Sequence, residues 1–583
     1  MNQREKTMDN IIRFFAQITT AIFVGLFLLP ACSTTKQETI AKTIYFGGPI
    51  LTIDESNPSA EAIAVQGGRI LAVGTKEEVM RLAGKGTNSI DLAGKTLLPG
   101  FIDPHCHFVA FGAQAVGANL MAPPDGNVNN INDLVAELQK FAKGPDVKRT
   151  GWIYGMGYDN AVLAEGRHPT REDLDKVSTT VPVIATHISG HMAAVNSAGL
   201  KELGYNKDTK DPVGGVIRRN SGSNIPNGVL EELAAIPPMM RILMAPPTVE
   251  DQIYFMKRGE EMAKSFGYTT AQEGRCLTPT HNILKNYAQN QGLEIDVVSY
   301  IDYSDLSPMD SKWYSRGYKS RYRIGGMKIT LDGSPQARTA WRTIPYVLPP
   351  AGQSKGYKGY PAIPDDQVVI DLFNKANANG WQVLTHTNGD AAADQLIRAV
   401  SATQDSYGQQ DLRHVLIHGQ FIRQDQLDSI AKLSLIPSLF PMHTFYWGDW
   451  YDIIIGPKYA QQISPMRSAL DRGMITTSHS DSPVARPNLM RVMDATVNRT
   501  SRSGKVMGPD ERITPMEALK SITIWGAYQH FEEDTKGSLE VGKLADLVIL
   551  SDNPLTVDPK NIGKIKVLET IKEGKTIYQA SNK

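Results

Sequence analysis

The stretch LLPGFIDPHCH, from Leu97 to His107, is an apolar strand that ends in two histidines separated by one residue. Side chains two positions apart on an extended chain point to the same side, so His105 and His107 can share one metal ion while Cys106 points away. A His-x-His motif alone has many explanations that involve no metal. Here it follows an apolar strand that is entered through Pro-Gly, which favours a metal site.

Four further polar side chains occupy similar places later in the chain. Lys328 lies within GGMKITLDG, His386 ends WQVLTH, His418 ends RHVLIH, and Asp481 ends MITTSHSD. Helical stretches such as 366–379 separate the apolar runs, and this alternation predicts an α/β fold with eight β/α units, a (β/α)8 TIM barrel. The candidate barrel strands are 97–102, 267–272, 295–301, 327–331, 381–385, 414–417, 435–440 and 474–478. Because barrel strand ends converge on one face, the six side chains are predicted to meet there.

Two β-rich segments flank the barrel pattern, which is assigned to 97–535. The segments 43–96 and 536–583 contain short strands with turn signals, and each alone has too little core to be stable. Together they are predicted to form a small composite β-sandwich. Residues 110–262 form a large insertion after the first barrel strand. An insertion there lies over the active-site mouth, which predicts a lid or substrate-selecting role.

The N-terminal segment is predicted to lie outside the fold. Basic residues precede an apolar run at 18–29 that is too short for a stable membrane span. The run ends in Leu-Pro-Ala-Cys at Cys32, which resembles the lipobox of bacterial lipoproteins. This resemblance implies a signal peptide at 1–31, an acylated Cys32 that anchors the protein to a membrane, and a linker at 32–42. An ordinary signal peptide with an incidental cysteine is the alternative. Ser33 favours the outer membrane, facing the periplasm of a Gram-negative bacterium.

The composition of the 583-residue chain excludes several classes of protein. Lysine plus arginine equals aspartate plus glutamate at 61 each, so no net charge favours nucleic acid as a partner. Three cysteines are too few for a disulfide framework. An apolar content of 41% is that of an ordinary globular protein. The expected partner is a small-molecule substrate, and a homodimer is one option for the oligomeric state.

Several strings in the chain resemble one known family: TLLPGFIDPHCHF, MKITLDGS, LTHTNGD, LIHGQ, HSDSPV and KGSLEVGKLADLVIL. They are similar to the amidohydrolase superfamily, and more closely to its amidohydrolase family 3 subgroup of formamide deformylases and exoenzyme-like hydrolases. The resemblance runs from about Thr43 to the C-terminus. It implies a (β/α)8 barrel with a small β-sandwich made from both chain ends.

The resemblance also implies a role for each of the six converging side chains. His105 and His107 match the metal ligands of the first strand. Lys328 matches the fourth-strand lysine, which in the family is carbamylated and bridges two metal ions. A free ammonium has no lone pair and cannot ligate a metal, so the lysine must be modified or deprotonated to serve. An ion pair between Lys328 and Asp332 or another carboxylate is the alternative interpretation.

The remaining three side chains complete the implied site. His386 and His418 match the ligands of the second metal, and Asp481 matches an aspartate that is both metal ligand and proton shuttle. One or two divalent ions are expected; zinc suits imidazole ligands best, with iron, manganese or nickel as alternatives. Such an ion lowers the pKa of bound water from about 15.7 to roughly 7, which generates hydroxide at neutral pH.

This chemistry predicts a hydrolase that acts on a non-peptide C–N bond in an amide, formamide or cyclic amide. Asp481 is expected to pass a proton to the leaving nitrogen. Esters, lactones and phosphotriesters are alternative substrates, because the same hydroxide attacks their carbonyl or phosphoryl groups. A surface lipoprotein that binds ligand or metal on an inactive barrel is the alternative from another class. The placement of all six side chains argues against such a decayed site.

Four more histidines are weaker candidates for substrate binding. His187 and His191, in THISGHMAAVNSAGL, resemble an element of the family's insertion that faces the substrate, and loop-stabilising hydrogen bonds are the alternative. His443, in FPMHTF, is a plausible substrate contact, with Trp447 and Trp450 as pocket walls. His479 lies two residues before Asp481, where relatives have a small residue. It is expected either as an acid–base neighbour of the substrate or as a partner behind the metal ligands, and the second is favoured.

Overall fold

The computed structural model describes residues 40–212, 214–244, 248–350 and 352–581. The predicted signal peptide at 1–31, the lipidation site Cys32 and nearly all of the predicted linker lie outside the described residues. Among the helices of the described residues, none combines the length and the apolar character that a membrane crossing requires.

The strands of the described residues are numbered β1–β22 in chain order. They are β1 (Thr43–Leu51), β2 (Ser59–Gln66), β3 (Arg69–Gly74), β4 (Asn88–Asp91), β5 (Thr96–Pro99), β6 (Phe101–Ile102), β7 (Ala118–Asn119), β8 (Ile153–Tyr158), β9 (Val183–His187), β10 (Met192–Val195), β11 (Gly215–Arg219), β12 (Pro226–Glu232), β13 (Tyr268–Cys276), β14 (Asp296–Asp302), β15 (Tyr322–Thr330), β16 (Gln382–Thr387), β17 (Val415–His418), β18 (Ile436–Leu439), β19 (Thr477–Ser478), β20 (Leu547–Leu550), β21 (Val567–Lys572) and β22 (Lys575–Gln579).

The α-helices flank these strands. They span Lys76–Met80, Phe108–Val116, Ile131–Ala142, Val147–Thr150, Arg171–Asp175, Ser197–Glu202, Ile236–Met239, Val249–Ser265, Thr278–Asn290, Asp366–Asn379, Asp390–Tyr407, Gln424–Lys432, Met442–Ile454, Pro457–Ala460, Met466–Leu470, Leu489–Asn498, Pro515–Ser521 and Ile524–Gln529.

The predicted α/β barrel is present as a sheet of eight strands in the order β19-β18-β17-β16-β15-β14-β13-β6, and all of its neighbours are parallel. An apolar cluster inside it includes Val298, Leu384 and Ile417, from three different strands. Because β6 to β19 follow the chain around the sheet, the carboxyl ends of the strands lie at one rim. The six predicted side chains lie at this rim.

The first predicted strand, 97–102, is divided between two sheets. Residues 96–99 belong to β5, which pairs with β1 and β20, whereas β6 begins the barrel and pairs with β13. Gly100 lies at the junction, where a Cβ would be 2.2 Å from Cγ2 of Thr269. Only glycine allows so close an approach, and the preceding proline lacks the N–H that a continuous ladder needs.

The two β-rich ends of the chain contribute to one eight-stranded sheet, ordered β22-β21-β20-β5-β1-β2-β3, with β4 beside β1. Its strands share an apolar core in which Tyr45 and Ile63 from the first end contact the same cluster as Leu547 and Ile571 from the second. Each end alone would leave this apolar face in water, which accounts for their pairing.

The insertion contains a sheet of its own, which the sequence did not reveal. Its strands follow the order β11-β12-β10-β9-β8-β7, with an apolar cluster on each side. The helices Phe108–Val116 and Val249–Ser265 connect the insertion to the barrel. They cross at Gly112 and Gly259, where a Cβ on Gly259 would lie 2.6 Å from the backbone nitrogen of Gly112. The two connections are therefore in backbone contact.

Candidate metal centre

His105 is held in one tautomer by a glutamine from the neighbouring strand. Gln272 uses its amide nitrogen to donate to the carbonyl oxygen of Pro104, so its oxygen is the atom that faces His105. The Nδ1–H of His105 donates to that oxygen at 2.7 Å. Burial lowers the pKa of His105 well below its usual value, so the ring is neutral. Its Nε2 therefore carries a lone pair that can bind a metal ion.

His107 lies between two carboxylates. Its Nε2 is 3.5 Å from Oδ1 of Asp481, and its Nδ1 is 3.7 Å from Oε1 of Glu273. Burial by itself lowers the pKa of His107, but the two carboxylates outweigh it and raise the pKa to about 9. The main chain at His107 is fixed by a hydrogen bond of 2.8 Å from its backbone N–H to the carbonyl oxygen of Ser482.

Asp481 completes a cluster in which one ligand atom each from His105, His107 and Asp481 lies within 4.8 Å of the others. Its backbone has a positive φ of 49°, and that of His418 has a φ of 75°. Residues other than glycine adopt this conformation at a cost and most often at functional sites. Burial raises the pKa of Asp481, but the proximity of His107 lowers it below its usual value, so the carboxylate is ionised.

Lys328 is a buried amine without an acidic partner. Its side chain is 2% exposed, and its Nζ lies 3.5 Å from Nε2 of His105. Within the described ranges it forms no ion pair with a carboxylate. Asp332, the partner in the alternative interpretation, instead accepts hydrogen bonds from the backbone N–H groups of Trp341, Asn388 and Gly389. Burial lowers the pKa of Lys328 to about 7, which leaves a large fraction as neutral amine.

His386 and His418 form a second pair of imidazoles, with ring centroids 4.6 Å apart. Burial lowers the pKa of each, so both rings are neutral at neutral pH. The Nδ1 of His386 lies 3.3 Å from Oδ1 of Asp332, yet it is buried and makes no hydrogen bond. The Nδ1 of His418 lies 3.1 Å from Nε2 of His479. Neutral imidazoles with free nitrogens are suitable metal ligands.

All six predicted side chains line a single cavity of about 370 Å³. His187, His191 and His443 line it as well. The loop-stabilising hydrogen bonds of the alternative interpretation are present as well. The two ring nitrogens of His187 lie 2.9 Å from Oγ of Ser189 and 3.1 Å from Oδ1 of Asn160. The structure therefore places nine of the ten candidate site residues from the described part of the chain around one space.

His479 is the exception, and its position fits the favoured of its two expected roles, a partner behind the metal ligands, rather than contact with the substrate. The side chain is 0% exposed and does not line the cavity. Its ring is stacked on Phe440 with centroids 5.2 Å apart, and its Nδ1 lies 3.0 Å from Oγ of Ser438. Together with its contact to His418, this places His479 behind a candidate ligand.

The prediction that Trp447 and Trp450 form walls of the cavity is wrong. Trp447 and Trp450 do not line the cavity. Trp447 lies behind His443, with ring centroids 4.5 Å apart, and its Nε1–H donates to Oδ2 of Asp159 at 3.2 Å. Their aromatic character indicated burial, but it carried no information about the side of His443 on which they pack.

Two charged residues of the cavity were missed by the sequence analysis. Glu273 and Arg275 both line it, at the end of β13. The predicted strand stopped at Gln272, whereas β13 continues to Cys276 past an irregularity in its pairing. The motif AQEGR follows the same rule as the six predicted positions, since polar residues after an apolar barrel strand lie at the rim.

Comparison with known proteins gives one family across most of the chain. The amidohydrolase family model matches residues 88–578. The protein LONG AFTER FAR-RED 3 of Arabidopsis thaliana is 29% identical over 562 residues, which cover 92% of both chains. N-substituted formamide deformylase of Arthrobacter pascens is 26% identical over 567 residues, covering 91% of this chain and 97% of its own.

A solved structure supports the same architecture. It is an uncharacterized metal-dependent hydrolase of Pyrococcus horikoshii, with a TM-score of 0.70 and 23% sequence identity. The superposition covers 89% of this chain and 99% of that one. The barrel and the layers around it are therefore shared along nearly the whole length of both molecules.

Proposed function

Since the chain belongs to the amidohydrolase family, we propose that it is a metal-dependent hydrolase that cleaves a non-peptide C–N bond in an amide, formamide or cyclic amide. The observation that carries this proposal is the convergence of His105, His107 and Asp481 within 4.8 Å, although Asp481 lies far from the other two in sequence. The similarity to N-substituted formamide deformylase supports the choice of bond.

The donor groups fit a divalent ion of the zinc class. His105, His107 and Asp481 would hold one ion, and Lys328, His386 and His418 would hold a second. Imidazoles with a carboxylate favour zinc, with iron, manganese or nickel as alternatives. The raised pKa of His107 means that binding of the ion would have to release the proton of this imidazole. The Nδ1 of His386 supports this assignment, because it is buried 3.3 Å from Oδ1 of Asp332 but makes no hydrogen bond to the described residues, and a bound ion would satisfy it.

We propose that Lys328 is carbamylated. Carbon dioxide reacts with a neutral amine, and burial without an acidic partner keeps much of Lys328 neutral near pH 7. The modification would replace a cation that cannot ligate with a carboxylate-like group that can. It would also remove a positive charge from beside His105, whose Nε2 is 3.5 Å away.

The reaction adds one water across the C–N bond and yields a carboxylic acid and an amine. When bound, the ion lowers the pKa of water and polarises the substrate carbonyl. Asp481 would accept the proton of that water on a carboxylate oxygen and deliver it to the leaving nitrogen. His107 would orient this carboxylate through Nε2, 3.5 Å from its Oδ1, and Nε2 of His105 lies 3.6 Å from the same oxygen.

We propose that His479 positions His418. If the Nδ1–H of His418 donates to Nε2 of His479, then the Nδ1–H of His479 donates to Ser438, and Nε2 of His418 keeps its lone pair. The opposite direction of both hydrogen bonds would put a proton on Nε2 of His418 and block ligation. Partners of this kind fix the tautomer of a ligand histidine.

The insertion is proposed to select the substrate. It contributes Met156, Gly157, residues 186–191, Ile236, Met239 and Met240 to the cavity wall. This wall faces the same space as the six rim residues, so its shape limits what can reach them. The division of the chain into a barrel at 97–535, interrupted at 110–262, and β segments at 43–96 and 536–583 is likewise proposed, although residues 97–99 pair with β1 and β20 in the sheet of the chain ends.

The experiment that tests the function combines metal analysis with a substrate panel. Purified protein is assayed for bound zinc, iron, manganese and nickel, and for release of amine or formate from N-formyl, N-acyl and cyclic amides. Hydrolysis by metal-loaded protein supports the proposal, and faster hydrolysis of esters or lactones overturns the choice of bond. Metal-loaded protein that binds these compounds but hydrolyses none would identify a binding protein instead.

We further propose that Cys32 is acylated and anchors the protein in the outer membrane. The proposal rests on the lipobox-like ending of the apolar run and on Ser33. The test is incorporation of radiolabelled palmitate by cells that express the full chain, followed by membrane fractionation. Labelling that persists in a Cys32→Ser variant would contradict it.

A further inference from the structure

Arg275 is a charged residue of the cavity that the proposed chemistry does not use. Its Nε–H donates to Oδ2 of Asp302 at 2.8 Å. Asp302 is buried, and its other oxygen accepts hydrogen bonds from the N–H and Oγ of Ser304 at 3.1 Å and 2.6 Å. The guanidinium is thus fixed from one side. Its two Nη groups make no hydrogen bond to the described residues, and the side chain, 52% exposed, lines the cavity.

His191 is arranged in a similar way. Its Nδ1 lies 2.9 Å from Oε2 of Glu232, whereas its Nε2 has no hydrogen-bond partner in the part of the chain that the structure describes. Burial by itself lowers the pKa of His191, but Glu232 outweighs it and raises the pKa above its usual value. The charge of Arg275 acts against this rise. Arg275 and His191 both line the same cavity.

The cavity also has an apolar wall. Ile188, Ile236, Met239 and Met240 from the insertion, together with Leu277, line it. Methionine side chains adapt their shape to different apolar groups, so this wall would accept a range of aliphatic or aromatic substituents. The space therefore offers three different environments: the candidate metal ligands, two basic donors and an apolar surface.

We propose that Arg275 and His191 bind a carboxylate, and that the substrates are N-formyl or N-acyl amino acids with apolar side chains. The inference rests on the proposed function, because it places the scissile amide beside Asp481. The planar guanidinium of arginine matches the two oxygens of a carboxylate, and its fixed Nε leaves both Nη groups to bind them. The apolar side chain then lies against the wall formed by Met239 and Met240. Hydrolysis consumes one water and releases formate or another carboxylate together with the free amino acid.

The test compares two probes that differ only in this carboxylate. They are N-formyl-leucine and N-formyl-leucinamide, each used in its L and D forms with the metal-loaded full chain. The variants are Arg275→Met, which keeps the aliphatic stem, and Arg275→Lys, which keeps the charge but not the two-pronged geometry. Arg398→Met is the matched control, since Arg398 is also 52% exposed and also pairs with one carboxylate, that of Asp366, on a helix outside the cavity.

The expected result is a loss of hydrolysis that is far larger on N-formyl-leucine, the probe with the carboxylate. Because hydrogen bonds to charged groups contribute about 1.5–3 kcal/mol, kcat/KM for N-formyl-leucine should fall roughly 10- to 150-fold in Arg275→Met. Arg275→Lys should lie between that variant and the unaltered protein. Arg398→Met should match the unaltered protein on both probes, and the loss in Arg275→Met should be much smaller on N-formyl-leucinamide than on N-formyl-leucine. Equal losses on both probes, or a preference of the unaltered protein for the amide, would overturn the carboxylate site.

A binding measurement separates this inference from the proposed function. If neither probe is hydrolysed, the Kd of N-formyl-leucine is measured by calorimetry for the unaltered protein, Arg275→Met and Arg398→Met. Weaker binding in Arg275→Met alone supports the carboxylate site even though hydrolysis has failed. Equal binding by all three proteins, or no binding by any, overturns it.

Discussion

The backbone N–H of Asp481 donates a hydrogen bond of 3.1 Å to the carbonyl oxygen of His105. These residues follow β19 and β6, the two edge strands of the barrel sheet, so the hydrogen bond spans the seam of the barrel. Their side chains meet at the same place, with Nε2 of His105 3.6 Å from Oδ1 of Asp481. An ion bound by both side chains would therefore join the first and last strands, and metal binding is expected to stabilise the barrel.

Removal of metal should consequently lower the unfolding temperature. An ion that binds only the folded state stabilises it by about 4 kcal/mol when its concentration is 1,000 times its Kd. Chelator should lower the calorimetric unfolding temperature of the unaltered protein. It should change the unfolding temperature of His105→Ala very little, because this variant lacks a metal ligand. His281→Gln, which alters a buried histidine outside the cavity, should respond to chelator like the unaltered protein. If chelator lowers the unfolding temperature of His105→Ala as much as that of the unaltered protein, His105 is not a metal ligand.

Replacement of Asp481 by asparagine should reduce turnover far more than it affects the fold. An amide cannot accept the proton, and general acid–base catalysis contributes about 10²- to 10⁴-fold to rate. The decisive measurement is kcat at saturating metal and substrate, with metal content determined on the same sample. Asp366→Asn alters an aspartate outside the cavity and should retain full activity. Unchanged turnover in Asp481→Asn would rule out the proton-shuttle role.

The positioning role of His479 predicts a graded effect on metal retention. His479→Leu removes the partner of His418, and loss of such a partner typically costs about 10- to 100-fold in metal affinity. His479→Gln should recover most of this affinity, because its amide oxygen can accept from His418 and its amide nitrogen can donate to Ser438.

Competition with a chelator gives the affinity, and the visible spectrum of the cobalt-substituted protein reports the ligand geometry. A purely structural role would predict equal affinity in every variant that folds. A cobalt spectrum that is identical in His479→Leu and in the unaltered protein would count against positioning.

Glu532 should make the free energy of unfolding depend on pH in the acid range. It is buried among Arg323, Lys536, His530 and Tyr318, with Nη2 of Arg323 at 2.9 Å and Nζ of Lys536 at 3.2 Å. Burial raises the pKa of Glu532, but Lys536 and Arg323 outweigh it and lower the pKa from 4.5 to about 2. A carboxyl with a lowered pKa contributes stability above its unfolded pKa, and this contribution is lost as the pH falls from 4.5 towards 2.

The measurement is urea unfolding of metal-free protein between pH 6 and the onset of acid unfolding. Glu532→Gln leaves two buried cations short of a partner, so it should cost on the order of 3 kcal/mol near neutral pH. It should also show a shallower decline of stability with falling pH. Parallel curves for both proteins would mean that Glu532 does not contribute to the pH dependence.

The barrel and the convergence of six side chains could be predicted because both follow from one local rule. An apolar strand followed by a polar residue was found repeatedly, and the rim of a barrel is where such residues meet. The limits of the strands were less accurate. The strand predicted at 267–272 extends to Cys276, past a shift in the register of its pairing, so Glu273 and Arg275 were missed.

Other features depend on contacts between distant residues. The sheet of the insertion pairs strands from 118 to 232, and the pattern of a short strand does not identify its partner. The burial of His479 is set by Ser438 on the neighbouring strand β18 and by Phe440 just after it, so its position two residues before Asp481 left two roles open. The division of 97–102 at Gly100 depends on the approach of Thr269, which the local sequence does not specify.

The insertion grows directly out of a candidate metal ligand, since the helix Phe108–Val116 begins immediately after His107. Its return helix crosses the first at Gly112 and Gly259, with no room between the backbones. A swing of the whole insertion would therefore pull His107 away from Asp481 and disturb the site at every turnover. Substrates are therefore expected to enter and leave past the segments at 187–191 and 236–240, which line the cavity, while the two helices hold the ligands in place.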